Sequence, residues 1–93
     1  MSGPNERLVR RAHVVEAEVD GEVVALDAET ANFYGLNGVG SRVWRLLARP
    51  VTPEEIRDAL LAEYEVSPAD CERAVRRLLD QLLAEGLIER LAG

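Results

Sequence analysis

A thiol at Cys71 and an imidazole at His13 are the only side chains of their kinds in the 93-residue sequence. Paired, they would make a nucleophile with its general base, or half of a tetrahedral metal site. One Cys and one His fall short of the three or four protein ligands of a usual zinc site. A Cys-His or Ser-His-Asp arrangement would have to recruit His13 out of a strand-like run near the N-terminus. One cysteine cannot close an internal disulfide. Cys71 lies one turn inside a helix N-terminus, where thiols can become reactive. It also lies on an apolar arc, and reads better as a small buried hydrophobe. The inventory therefore predicts no enzyme, no metal and no cofactor, and leaves binding as the role.

Charge narrows the partner. The formal net charge is −6, the wrong sign for a protein that must neutralise phosphates. From His13 to Leu36 the sequence carries Glu16, Glu18, Asp20, Glu22, Asp27 and Glu29 and no arginine; from Asn37 to Pro50 it carries Arg42, Arg45 and Arg49 and no acid. Arg73, Arg76 and Arg77 would suit a recognition helix. Asp70, Glu72 and Asp80 are interleaved with them, however, which marks a solvated face. No apolar run approaches the roughly 18 residues of a membrane span. Met1 to Arg11 has arginines with no apolar stretch behind them, so the expectation is a cytoplasmic protein that engages neither nucleic acid nor membrane.

These residues need a scaffold, and its periodicities are legible. Residues 1–11 are polar and read as a flexible N-terminal arm; residues 12–91 read as one domain. His13 to Val19 alternates, with Val15, Ala17 and Val19 on one face and Glu16 and Glu18 on the other. Glu22 to Asp27 is a second run, joined to the first by Asp20-Gly21, a strong hairpin signal. Ala31 to Leu36 is a shorter third run, and Ala28-Glu29-Thr30 permits another antiparallel return. The period then changes to 3.6. Asn37 caps a helix with Val39, Val43, Leu46 and Leu47 on its stripe and Trp44 beside them in the core, and Pro50 stops it. Thr52-Pro53-Glu54-Glu55 opens a second helix with a capping box. Ile56, Ala59, Leu60 and Tyr64 form its stripe. Ser67-Pro68-Ala69-Asp70 starts a third, which ends near Gly86. Leu87 to Leu91 is a tail that could pair or pack. The predicted fold is α+β, a winged-helix-like domain with a three-stranded antiparallel sheet followed by three helices.

Two features exceed what a small core requires. The third run, Ala31, Asn32, Phe33, Tyr34, Gly35 and Leu36, is last in its meander and should be a sheet edge. It carries neither the charge nor the proline that usually blunts one. Successive side chains point to opposite faces, so of Phe33 and Tyr34 one packs inward and the other does not. The third helix has an apolar arc of about 180°, wider than the roughly 100° stripe of a surface helix. Either it packs against both other helices, or its margin, with Cys71, Ala74 and Leu78, lines a groove beside the sheet. In the second case the pockets fall between the third strand and the third helix. Phe33 or Tyr34 would line them with Cys71, Ala74, Val75 and Leu78, and Asp70, Arg73, Arg77 and Gln81 would form the polar rim.

From Leu26-Asp27 through Tyr34-Gly35-Leu36-Asn37 to Trp44-Arg45-Leu46-Leu47 the sequence closely resembles the PqqD-like RiPP recognition elements. These peptide-binding domains serve ribosomally synthesised, post-translationally modified peptides. Thr52-Pro53-Glu54-Glu55-Ile56 and Glu85-Gly86-Leu87-Ile88 add to the likeness, which covers about residues 10 to 90. The stand-alone leader-binding proteins of lasso-peptide biosynthesis look most similar. The resemblance implies a precursor leader peptide as ligand, with a leader-cleaving cysteine protease and an ATP-dependent macrolactam synthetase as further partners. It also implies that the leader adds as a strand to the sheet edge. A relative that chaperones peptides for a radical-SAM enzyme is the alternative within the family, and a winged-helix DNA-binding regulator the alternative outside it. Gly38 departs from the pattern, since proline is common there.

Overall fold

The computed structural model describes residues 6–91. Eight elements follow in the order β1 (Arg7–Arg10), β2 (Val14–Val19), β3 (Glu22–Asp27), β4 (Phe33–Gly35), α1 (Gly38–Leu46), α2 (Pro53–Glu63), α3 (Pro68–Ala84) and β5 (Ile88–Leu91). The predicted meander is present, ordered β2-β3-β4 and antiparallel throughout. Its first turn places both Asp20 and Gly21 at positive φ, 52° and 82°, as a type I′ hairpin requires. The three helices begin where their caps predict. Asn37 accepts from the Gly40 amide, Ser67 from the Asp70 amide, and Thr52 and Glu55 form the reciprocal capping box. Glycine at position 38 leaves the Asn37 cap intact.

The loose arm expected through Arg11 is corrected. Residues 7–10 form β1, which pairs with β5 from Arg7↔Leu91 to Arg10↔Ile88 in a second, two-stranded sheet. Residues 1–5 lie outside the described residues. Leu8 is 3% exposed and belongs to the core, and its backbone bridges to Val51. The strand was masked because its other inward position is an arginine. Arg10 lies over the Trp44 ring, 4.8 Å from the centroid, and donates to the Trp44 carbonyl.

The predicted alternation of β2 is present, and its polar face is the one turned to the helices. Its apolar face, Val15, Ala17 and Val19, is exposed, whereas Glu16 and Glu18 face the helices. Glu16 accepts from the Trp44 indole N–H at 3.1 Å and pairs with Arg10, and Glu18 lies 3.5 Å from Arg45. The register explains this. Residues on the central strand β3 decide the core face, and its buried Val23 and Ala25 stand opposite Glu18 and Glu16. A one-residue slip would turn β2 over relative to β3, so the edge strand takes the orientation that β3 and the tight turn impose.

The core is built from Trp44 and Leu47 of the α1 region, Ile56 and Leu60 of α2, Val75, Leu79 and Leu82 of α3, and Leu87 and Ile88. Buried Ser41 stitches sheet to helix. Its hydroxyl accepts from the Val23 amide at 2.8 Å and donates to the Leu36 carbonyl at 3.1 Å.

Acid should destabilise this domain by a traceable route. The Glu29 amide, then the Thr30 amide and His13, hold the Asp27 carboxyl below its ordinary value. The Thr52 amide does the same for Glu55, and Arg42 for Glu63. A depressed carboxylate contributes stability above its unfolded value, about 4, and that contribution is lost as pH falls through the lower folded value. Urea midpoints are expected to be flat above about pH 5 and to fall progressively below about pH 4. Asp27→Asn should flatten part of that slope. A midpoint that rises on acidification would contradict the assignment.

Candidate functional site

The free edge of the meander is built by the return from β3. The Asp27 carboxylate accepts from the amides of Glu29 at 2.8 Å and Thr30 at 3.3 Å. Ala31 takes the left-handed conformation at φ 63°, and its amide closes the turn onto the Asp27 carbonyl. β4 then pairs with β3 through Leu26↔Phe33, Ala25↔Tyr34 and Val24↔Gly35. The Asn32 carbonyl accepts from Asp27, and the Leu36 amide donates to Val23. By the alternation of an antiparallel ladder, the backbone groups of Phe33 and Gly35 therefore face away from β3, along the open edge.

The two rings separate as alternation demands. Phe33 is 75% exposed on the outer face. Tyr34 turns inward against the core, and its hydroxyl donates to Gln81 Oε1 at 3.2 Å, fixing β4 over α3. Leu36 is buried.

Beyond β4 lies an apolar groove of about 320 Å³. Cys71, Ala74, Val75 and Leu78 form its α3 wall. Its opposite wall is not Phe33 or Tyr34, as the sequence led one to expect. Val39 and Val43 of α1, Leu60 of α2, and Tyr64 and Val66 of the following link form it instead. Val39 and Tyr64 were placed on core stripes by their spacing. Both are exposed, and this groove is where they stand. Only Leu36 and Asn37 separate β4 from α1, which carries Val39 and Val43 of this wall. Arg42 ties α1 to α2 within that opposite wall by donating to both oxygens of Glu63 at 2.7–3.0 Å.

Glu65 and Asp70 make one end of the groove acidic. Arg73, Arg77 and Gln81 lie on an adjoining shallow face of α3. Arg73 pairs with Asp70 and Arg76 with Glu72, all well exposed, so this face is the solvated one. Cys71 is buried, with Sγ 3.9 Å from the Arg57 carbonyl. His13, Asp27 and Glu29 bring their donor atoms within 4.8 Å of one another. Asp27 already spends one oxygen on two turn amides there, so the cluster serves as the turn's own cap.

Residues 22–88 match the family described as Coenzyme PQQ synthesis protein D (PqqD). The chain belongs to the PqqD family. The matched span runs from β3 to the start of β5 and so contains the β4 edge and all three groove-forming helices. Two solved structures resemble this PqqD-family chain over nearly its whole length. One is TbiB1 in complex with the TbiA(beta) leader peptide, 42% identical, with a TM-score of 0.82, covering 91% of this chain and 99% of that one. The other is lasso peptide synthetase B1 complexed with the leader peptide, 26% identical, with a TM-score of 0.79, covering 88% of this chain and 96% of that one. A comparison with curated proteins gave no match.

Proposed function

We propose that this chain binds the leader segment of a ribosomally made precursor peptide as a strand added antiparallel to β4. It then presents that leader to the leader-cleaving protease and macrolactam synthetase of a lasso-peptide pathway. The carrying observation is an open strand edge on β4 followed, two residues on, by the helix that helps to wall an apolar groove. The backbone groups of Phe33 and Gly35 supply sequence-independent hydrogen bonds, and Cys71, Ala74, Val75 and Leu78 with Val39 and Tyr64 supply the side-chain pockets that select. Leader binding by the two similar structures supports this reading. The chain's own role is binding, and the bond-making chemistry belongs to the partners.

Calorimetry with the leader peptide tests it, and Gly35→Pro tests its geometry. The outward-facing Gly35 amide is an edge donor, and the space beyond the residue is open. Proline on an edge strand with its nitrogen toward solvent leaves the β3 ladder whole. Micromolar or tighter binding is expected for the wild type, and a loss of roughly tenfold for Gly35→Pro, the value of about one hydrogen bond. Unchanged affinity would move the leader off this edge.

A further inference from the structure

The groove beside β4 has ends of unlike charge, and their order along α3 bears on the direction in which a ligand strand lies. Tyr34 of β4 sits over Gln81 of α3. Val39, at the start of α1, shares the groove with Leu78, Ala74 and Cys71, and Glu65 and Asp70 stand at its acidic end. From β4 into α1 the chain therefore runs against α3, and a strand antiparallel to β4 runs with α3. Such a strand meets Glu65 and Asp70 first, the apolar walls next, and Arg77 and Gln81 last.

The acidic end has charge to spare. No arginine, lysine or histidine occurs from residue 58 to residue 72. Glu63 is taken by Arg42. Asp70 has only the exposed Arg73, at 3.4 Å. Glu65 has no ion pair among the described residues. Tyr64 and Val66, each 41% exposed, line the groove with these carboxylates. They offer apolar surface to the stem of a long basic side chain whose head reaches the acids. At the other end Arg77 also has no ion pair among the described residues.

We infer that the leader carries a lysine or arginine on the N-terminal side of its apolar anchors and seats that side chain between Glu65 and Asp70. The inference rests on the leader-binding reading and adds to it what fixes the direction of the strand. Main-chain hydrogen bonds form in parallel and antiparallel pairs alike, so the backbone groups of Phe33 and Gly35 select direction weakly. Charge selects it strongly. Reversed in the groove, the same peptide would bring its cation to Arg77, and like charge would reject it.

Two peptides test it by calorimetry. One is the leader segment of the chain's own precursor, acetylated at its N-terminus so that side chains are its only cations. The other has glutamate in place of the basic residues of its N-terminal half. Glu65→Gln/Asp70→Asn removes the charge and keeps the shapes, and the Ser67 cap survives because it accepts from the Asp70 amide. That variant should bind the first peptide roughly three- to tenfold more weakly at low salt, as exposed ion pairs allow, and the gap should close as salt rises. Glu65→Lys should bind the first peptide more weakly than wild type and the second more tightly than wild type, a rescue that no loss of folding imitates. Wild-type affinity and salt dependence in the neutral variant would overturn the inference. So would a folded Glu65→Lys that gives no rescue, or a precursor with no lysine or arginine upstream of its anchors. In each of those cases the wild type still binds leader, and the proposed function stands. No binding by the wild type would overturn that function itself.

Discussion

An Ala74→Trp variant is expected to fold normally and to give no measurable heat with a leader peptide that saturates the wild type. Ala74 is exposed, on the margin of α3 that lines the groove. Tryptophan in a helix costs about 0.5 kcal/mol relative to alanine, so the fold should survive. The indole would project among Val39, Val43 and Leu78 and occupy the space that leader side chains need. Apolar anchors contribute about 1.5–3 kcal/mol each on full burial, partly offset by ordering a flexible peptide. Loss of two anchors predicts at least a hundredfold weakening, about 2.7 kcal/mol. Ala74→Ser, which leaves the space open, should bind within a few-fold of wild type. If Ala74→Trp melts like the wild type and binds as tightly, the pockets lie on another side of α3.

How far the sequence reveals this site differs element by element. The α3 wall was legible because an arc of about 180° on a short domain's helix is hard to spend on a core alone. Cys71, Val75, Leu79 and Leu82 fill the buried centre of that arc, and Ala74 and Leu78 are left at the groove margin. The edge was legible because Ala31 to Leu36 lacks the charges and prolines that protect edges. The opposite wall was not. Val39 and Tyr64 obey helical spacing, and periodicity cannot tell a residue facing the core from one facing a groove beside it. Nor was β1 legible, since Leu8-Val9 stands between Arg7 and Arg10 and the inward Arg10 packs by its guanidinium. The outward face of β2 was not legible either, because a single strand's alternation states which residues share a face, not which face is covered. That is settled by β3, whose Val23 and Ala25 are buried on both counts of packing and register.

Trp44→Ala should be the most damaging single truncation in the domain. The ring is fully buried, and truncating a buried aromatic to alanine costs about 3–5 kcal/mol. Two further losses are specific to this site. The indole N–H satisfies Glu16, and the ring face supports the Arg10 guanidinium. Because β2 turns glutamates rather than apolar groups toward the helices, this Trp44–Glu16–Arg10 cluster is its main anchor to α1, and it ties β1 to the same place. A domain of this size has a stability of about 5–15 kcal/mol, so the variant should be only marginally folded. Its melting temperature should fall by roughly 15–30 °C, at about 4–8 °C per kcal/mol. Trp44→Phe separates the contributions. It keeps most of the ring and the cation–π face while removing the N–H, and should cost about 0.5–1.5 kcal/mol, the net value of one hydrogen bond, since Glu16 keeps Arg10 as a partner. The two variants should also differ in function. Trp44→Phe leaves β3, β4 and α3 in register and should bind leader nearly as well as wild type at low temperature. Trp44→Ala should lose binding in step with its loss of folded protein. A melting temperature for Trp44→Ala within a few degrees of wild type would mean that β2 is held by β3 alone and that the cluster over α1 contributes little.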